Sequence, residues 1–471
     1  MASAVFFHLL LLLLLSCFAS PGAPARIVEK KFETVTLVSL LPSDLCTASD
    51  QGRDGAALKV IHRHGPCSSL RPEQRASPGD ILTKDESRVK SMQARLTDAR
   101  RVLSRPDSDS AFTESSSLPT RIGNSLNTAN YVVTVGLGTP RKDFTVIFDT
   151  GSDLTWVQCR PCATSCHSQK EPIFDPDGSA TYRNVSCNAP ECLGLKSSTG
   201  SPGSCVASTC LYSITYGDGS YSDGYLAADT LTLTPSASVT GFRFGCGEDN
   251  DGLFGETAGL LGLGRDRVSV VSQTANEFAQ VFSYCLPSKS SSAGFLSFGP
   301  RISPSVKFTR LQPQDPDSFY FLNMVGISVA GQKLPIASTV FSNAGTIIDS
   351  GTVVTRLPPG AYSALRSAFR RGMAQYPSAP SLSILDTCYD LSKYPTFRIP
   401  KVGILFEGGV EVDLGSQGAL YAASASQVCL AFAGNSDPTD VGIFGNIQQK
   451  TYEVVYDVGN KRVGFGGGGC G

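Results

Sequence analysis

Val146-Ile147-Phe148-Asp149-Thr150-Gly151-Ser152 returns 200 residues later as Thr346-Ile347-Ile348-Asp349-Ser350-Gly351-Thr352. Each copy runs through three mostly apolar β-formers into an aspartate, a hydroxyl residue, a glycine and a second hydroxyl residue. One Asp-Thr-Gly-Ser alone is an ordinary turn signal. Two copies behind matching strands mark an internal repeat. Farther along, each copy is answered by two apolar residues and a glycine, Leu260-Leu261-Gly262 and Ile443-Phe444-Gly445. Two related halves, each a β-lobe, would bring two equivalent loops face to face.

The chemistry follows from that placement. An apolar strand ending in this tetrad holds Asp149 or Asp349 on a tight loop above a hydrophobic floor, with Gly151 and Gly351 allowing close backbone approach. Thr150 and Ser350 can hydrogen-bond the loops, while Ser152 and Thr352 can donate to the outer carboxylate oxygens. Two carboxyls in one site cannot both ionise cheaply, so the pair holds one proton over an acidic range. The ionised member can take a proton from a water between them and the protonated member can donate to a carbonyl oxygen. The expectation is peptide hydrolysis with an acidic optimum, the pair titrating as a unit.

Around the repeat, the chain from Tyr131 onward reads as all-β. The runs Tyr131–Leu137, Phe144–Phe148, Leu211–Tyr216, Leu226–Thr234 and Phe242–Gly245 alternate with Gly, Pro, Asn and Asp turns. One clear helix pattern covers Ala361 to Tyr376, with Tyr362, Leu365, Phe369 and Met373 on one face.

The first 120 residues differ. Val5 to Leu15 is an apolar run broken only by His8 and too short to span a membrane, followed by small residues, as in a secretory signal peptide. From Gly79 to about Leu103, Leu82, Val89, Met92, Leu96 and Leu103 recur at helical spacing, with Lys and Arg assigned to the other faces. A Ser/Asp-rich stretch from Ser104 to Ser117 then reads as a linker where a protease would cut. The organisation expected is a signal peptide over 1–25, a pro-segment over 26–120, an N-terminal lobe over 131–300 and a C-terminal lobe over 305–471. The leader's slight basic excess suits docking on an acidic cleft.

Formal charge balances to −1 across 471 residues, so no nucleic-acid footprint or polybasic face is expected. Fifteen cysteines include Cys17, Cys46 and Cys67 in the leader, leaving an even twelve. Behind a signal peptide these read as disulfides in an oxidising compartment. The alternative is zinc at Cys159-x2-Cys162-x3-Cys166, but only His167 lies beyond residue 64 to complete a mixed set. The same scarcity of histidine argues against Ser or Cys nucleophiles.

The chain from Tyr131 to Cys470 resembles the pepsin family, and within it the plant nepenthesin-like branch. The two Asp loops carry the resemblance, with Tyr212-Ser213-Ile214-Thr215-Tyr216-Gly217-Asp218-Gly219-Ser220 matching the family's flap hairpin. The resemblance implies an all-β bilobal pepsin-like fold around a cleft, endopeptidase activity on polypeptides, no cofactor and no metal, and a monomer inhibited by its own pro-segment. It also implies that Asp149 and Asp349 are catalytic and that Tyr216, Gly217 and Asp218 close over substrate. Trp156 falls on the indole partner of the flap tyrosine; its bland reading is core packing. By resemblance the disulfides are Cys159–Cys162, Cys166–Cys246, Cys187–Cys210, Cys192–Cys205, Cys285–Cys470 and Cys388–Cys429. Asn184-Val185-Ser186 is the one glycosylation sequon, on the cysteine-rich insertion.

The secretory route points to the extracellular space or the vacuole. His62-Arg63-His64-Gly65-Pro66-Cys67 resembles a motif of a plant subgroup that includes chloroplast-nucleoid proteases, which leaves the chloroplast as the alternative. The rival function keeps the fold without the chemistry: a binding protein like the plant xylanase inhibitors, which lose a catalytic motif. Here both loops and Tyr216 are intact.

Overall fold

A computed structural model describes residues 31–47, 57–70, 77–103, 131–216, 219–252, 254–313 and 318–470, with side chains from 98 to 103 left aside. The signal-peptide reading and the Ser104–Ser117 linker fall outside these residues.

Alternating β-branched and aromatic residues make Tyr131–Leu137 a strand, paired antiparallel with Lys142–Asp149 through Val132↔Ile147 and Val133↔Val146. Lys142–Asp149 in turn lies parallel to Gly259–Gly262, so that Gly262 sits beside Asp149. Trp156–Gln158 fits between Gly259–Gly262 and the long strand Ala237–Asp251. The second half repeats the device. Thr346–Ile348 runs parallel to Gly442–Phe444, and Thr355–Leu357 pairs antiparallel with the same strand. Both Asp-bearing strands therefore end beside an apolar-apolar-glycine strand.

These glycines have a steric reason. A Cβ on Gly262 would sit 2.1 Å from the Asp153 carbonyl oxygen, and one on Gly445 would sit 2.8 Å from Val354 backbone carbon. Any side chain there would push the Asp loops off their floor.

The halves join through Val281–Cys285, which pairs with Ala293–Phe298 on one side and Tyr452–Asp457 on the other. Across that junction Phe282 and Tyr456 stack at 4.4 Å, both fully buried. The leader is built into this framework. Its strand Ala57–His62 pairs with Ala293–Phe298 and touches Tyr131–Leu137 at its end, and Phe32–Thr36 adds to Thr396–Pro400.

Two long helices stand apart from the sheets. The helix Pro359–Gly372 starts with proline at its first position, where a missing N–H costs nothing, and buries Ala361, Tyr362, Leu365 and Phe369. The leader helix Pro78–Leu103, here α1, also starts on a proline. Ser77 and Asp80 cap it reciprocally: the Asp80 N–H donates to Ser77 Oγ at 3.1 Å and the Ser77 N–H to Asp80 Oδ2 at 3.2 Å.

Candidate active site

The two Asp loops meet as near two-fold copies. The Gly151 N–H donates to Asp149 Oδ1 at 3.0 Å, and the Gly351 N–H to Asp349 Oδ1 at 2.9 Å. Ser152 Oγ donates to Asp149 Oδ2 at 2.8 Å and Thr352 Oγ1 to Asp349 Oδ2 at 2.6 Å. The loops are tied to each other by crossed bonds: the Thr150 N–H reaches Ser350 Oγ at 3.1 Å and the Ser350 N–H reaches Thr150 Oγ1 at 2.9 Å. Each carboxyl therefore has little freedom to rotate, and the inner oxygens face a common space.

Arg88 of α1 occupies that space. Its Nη2 donates to Asp149 Oδ1 at 2.8 Å and to Asp349 Oδ2 at 3.1 Å, and its Nε to Asp349 Oδ2 at 3.2 Å. One guanidinium nitrogen thus touches both carboxyls. Burial pushes both aspartates up. At Asp149 the charge of Arg88, with the Gly151 and Ser152 bonds, outweighs burial and holds the carboxyl below its usual range. At Asp349 burial prevails, helped by repulsion from Asp149, and the carboxyl stays raised. With Arg88 in place the two carboxyls are shifted in opposite directions.

The rest of α1 lies along the same groove. Val89, Met92 and Leu96 pack with Phe319, Phe321, Ile347, Val441 and Ile443, a cluster that includes the strand leading into the second Asp loop. Leu82 packs with Val353, Val354 and Leu385. Gln93 exchanges bonds with Val441, donating to its carbonyl at 2.7 Å and accepting from its N–H at 2.9 Å. The sequence reading put the arginines of this helix on its other faces; Arg88 and the wholly buried Asp85 are corrections to it. Asp85 continues the row Leu82, Val89, Met92, Leu96 at three- and four-residue steps. An acid at such a phase was the available signal that this face docks on polar groups.

Residues 131–300 match the family profile described as Xylanase inhibitor N-terminal, and 319–467 the one described as Xylanase inhibitor C-terminal. An aspartyl protease family protein of Arabidopsis thaliana is 51% identical over 469 residues, 98% of this chain and 98% of its own length. The chain belongs to the plant pepsin-type aspartic proteases. Nepenthesin-2 of Nepenthes gracilis, 39% identical over 355 residues that cover 72% of this chain and 78% of its own, places it in the nepenthesin-like branch. Two solved structures share the fold. That titled edgp has a TM-score of 0.59 at 21% identity, covering 73% of this chain and 93% of its own. Basic 7S globulin from soybean has 0.57 at 23%, covering 71% and 92%. The fold is the all-β bilobal one, and the protein is an aspartic endopeptidase.

In this protease Trp156 is fully buried and donates its Nε1–H to Tyr216 Oη at 2.7 Å. Phe254 packs edge-on against both rings. Tyr216 ends the hairpin arm that follows Thr209–Thr215; Gly217 and Asp218 lie outside the described residues. Asn184 is exposed on a short strand beside Tyr221–Thr234.

Four cysteine pairings differ from the expectation. Cys159–Cys162, Cys166–Cys246, Cys187–Cys210 and Cys192–Cys205 do not form; instead Cys159 joins Cys246, Cys162 joins Cys166, Cys187 joins Cys205 and Cys192 joins Cys210. The first swap follows from strand register, since Cys159 continues the strand paired with Cys246 and its N–H bonds the Gly247 carbonyl. The second goes with burial. Cys192 and Cys210 are both buried in one apolar cluster, whereas Cys205 is exposed on the short strand Ser204–Val206. Cys285 is bonded to Cys470 and Cys388 to Cys429. Cys46 and Cys67, set aside in the sequence reading, form a seventh bridge within the leader.

Proposed function

We propose that the protease is made as a zymogen whose catalytic dyad is Asp149 and Asp349, and that acid releases α1 from the cleft to start hydrolysis. The observation that carries this is the Arg88 guanidinium lying across both carboxyls. A water and a peptide carbonyl need that same position.

With α1 gone, a water held between the carboxyls gives its proton to the ionised member as its oxygen attacks the scissile carbonyl. The protonated member meanwhile donates to the carbonyl oxygen. In the second half the tetrahedral hydroxyl returns a proton to one carboxyl, the other protonates the nitrogen, and the C–N bond breaks. Thr150 and Ser350 keep the loops in register. Tyr216, held by Trp156, closes over a substrate that binds as an extended polypeptide.

The pro-segment, residues 26–120 ahead of lobes over 131–300 and 305–471, acts as an intramolecular inhibitor of a monomer. The chain follows the secretory route to the extracellular space or vacuole and carries a glycan on Asn184. Secretion is supported by the leader's composition and the disulfides; among the described residues no helix is long and apolar enough to cross a membrane.

The test is cleavage of a denatured protein by purified full-length chain before and after exposure to acid. Activity should appear only after acid, yield to a statine-type inhibitor, and vanish in Asp149→Asn and in Asp349→Asn. Turnover in either variant would overturn the assigned roles, and activity equal before and after acid would overturn the zymogen.

A further inference from the structure

One turn before Arg88, α1 presents a carboxylate to the second half of the cleft. Asp85 Oδ1 accepts the Val353 N–H at 2.6 Å and its Oδ2 accepts the Val354 N–H at 3.3 Å. Oδ2 also pairs with Arg356 Nη2 at 3.0 Å, and the same nitrogen reaches Glu86 Oε2 at 3.3 Å. Arg356 is 1% exposed and follows Asp349 on the same segment, through Ser350-Gly351-Thr352-Val353-Val354-Thr355. Its other recorded bond is from Nη1 to the carbonyl of Val354, and its Nε is buried without a hydrogen-bond partner. Among the described residues, the carboxylates paired with this guanidinium both belong to α1. Burial alone would drive Asp85 toward its neutral form, and it does raise it, with Arg356 working against the rise.

We infer that Arg356 and the Val353 and Val354 N–H groups form a substrate subsite that selects an acidic side chain, and that Asp85 occupies it in the precursor. The inference rests on the reading that α1 leaves the cleft. Once it leaves, a cation buried under α1 loses its two counter-ions and two aligned N–H donors lose their acceptor, a combination that favours a carboxylate. Three helical residues advance about 4.5 Å, roughly one to two residues of extended chain. The acidic residue therefore lies within about three positions of the scissile bond. Glutamate and aspartate fit the cradle; glutamine cannot satisfy the cation.

The experiment uses two series of fluorogenic peptides, identical except for Glu or Gln placed in turn at each of three positions on either side of the cleaved bond. Acid-activated protein is assayed at pH 5, above the ordinary glutamate value of about 4.3. The expected result is a kcat/KM about tenfold or more higher for Glu at one position. That preference should collapse toward equality in Arg356→Gln. In the unaltered protein it should also collapse as pH falls to 3, which tests the idea without relying on a variant that folds. Cleavage with no Glu preference at any position, or a preference that survives at pH 3 or in Arg356→Gln, overturns the subsite alone. No cleavage of either series removes the parent reading and this one together.

Discussion

Replacing His64 by glutamine should make the precursor hold its leader to lower pH. His64 follows the leader strand Ala57–His62, and its Nε2 is buried without a hydrogen-bond partner. Burial, with the charges of Arg63 and Lys84, pushes its pKa down to about 3. Its neighbour His62 packs on Tyr131 and is lowered well below its usual value by burial, then by His64, Lys450 and Arg63. A histidine whose docked pKa is depressed supports docking fully above its free value and loses that support as pH falls. Here the window runs from about 6.5 down to about 3. At pH 5 the released imidazole is almost wholly protonated and the docked one neutral, which favours release by about 2 kcal/mol, or roughly 30-fold. That figure needs only a docked pKa below 5. Glutamine keeps a polar side chain without the titration. The assay is the initial rate of precursor conversion from pH 7 to pH 3, followed on gels. Conversion of His64→Gln at pH 5 should slow by about that factor while the pH 7 rates agree. An unchanged or faster rate at pH 5 would refute the argument, and equal slowing at both pH values would point to packing instead of proton uptake.

Arg88→Gln should raise the pH at which the precursor converts. Asp149 is held low, so the Arg88 grip is present above the usual carboxylate range and lost as pH falls through the lowered value. Removing one partner of a buried ion pair costs about 3–5 kcal/mol, lessened here because the two carboxyls can take up a proton. A conversion midpoint at or below that of the unaltered chain would contradict this. Tyr216→Phe removes the acceptor of the Trp156 Nε1–H and leaves a buried donor unpaired, a loss of about 1–3 kcal/mol. The kcat/KM of the activated protease should fall about tenfold and its Tm by a few degrees, read by peptide cleavage and calorimetry.

Much of the body was legible because the repeat states the same physical arrangement twice. The bounds of Tyr131–Leu137 coincide with the reading, and Phe144–Phe148 lies within Lys142–Asp149. The strands read as Leu226–Thr234 and Phe242–Gly245 extend in the structure to Tyr221–Thr234 and Ala237–Asp251. Their Gly- and Asp-bearing ends are weak strand formers held by each other's ladder, with a register shift between Gly247 and Asp249. Arg88 and Asp85 were missed for a different reason. Amphipathic periodicity sends charged residues to solvent by default, and their partners stand 61 to 271 residues away in sequence. For Asp85–Arg356 no local pattern reports that a cation will wait there. The cysteine pairings needed strand register and the burial of each side chain, which spacing does not encode.

The bridge between Cys46 and Cys67 sets how the leader can be dismantled. Ahead of it the strand Phe32–Thr36 lies on Thr396–Pro400; inside the loop it closes, Ala57–His62 enters the central sheet ahead of α1. A nick anywhere between the two cysteines severs the chain but leaves both pieces stapled together and still gripping the body at separate places. Under oxidising conditions only a cut beyond α1 detaches the leader as one unit. A reducing environment would change the order of disassembly, letting the outer strand fall away while the helix still blocks the cleft.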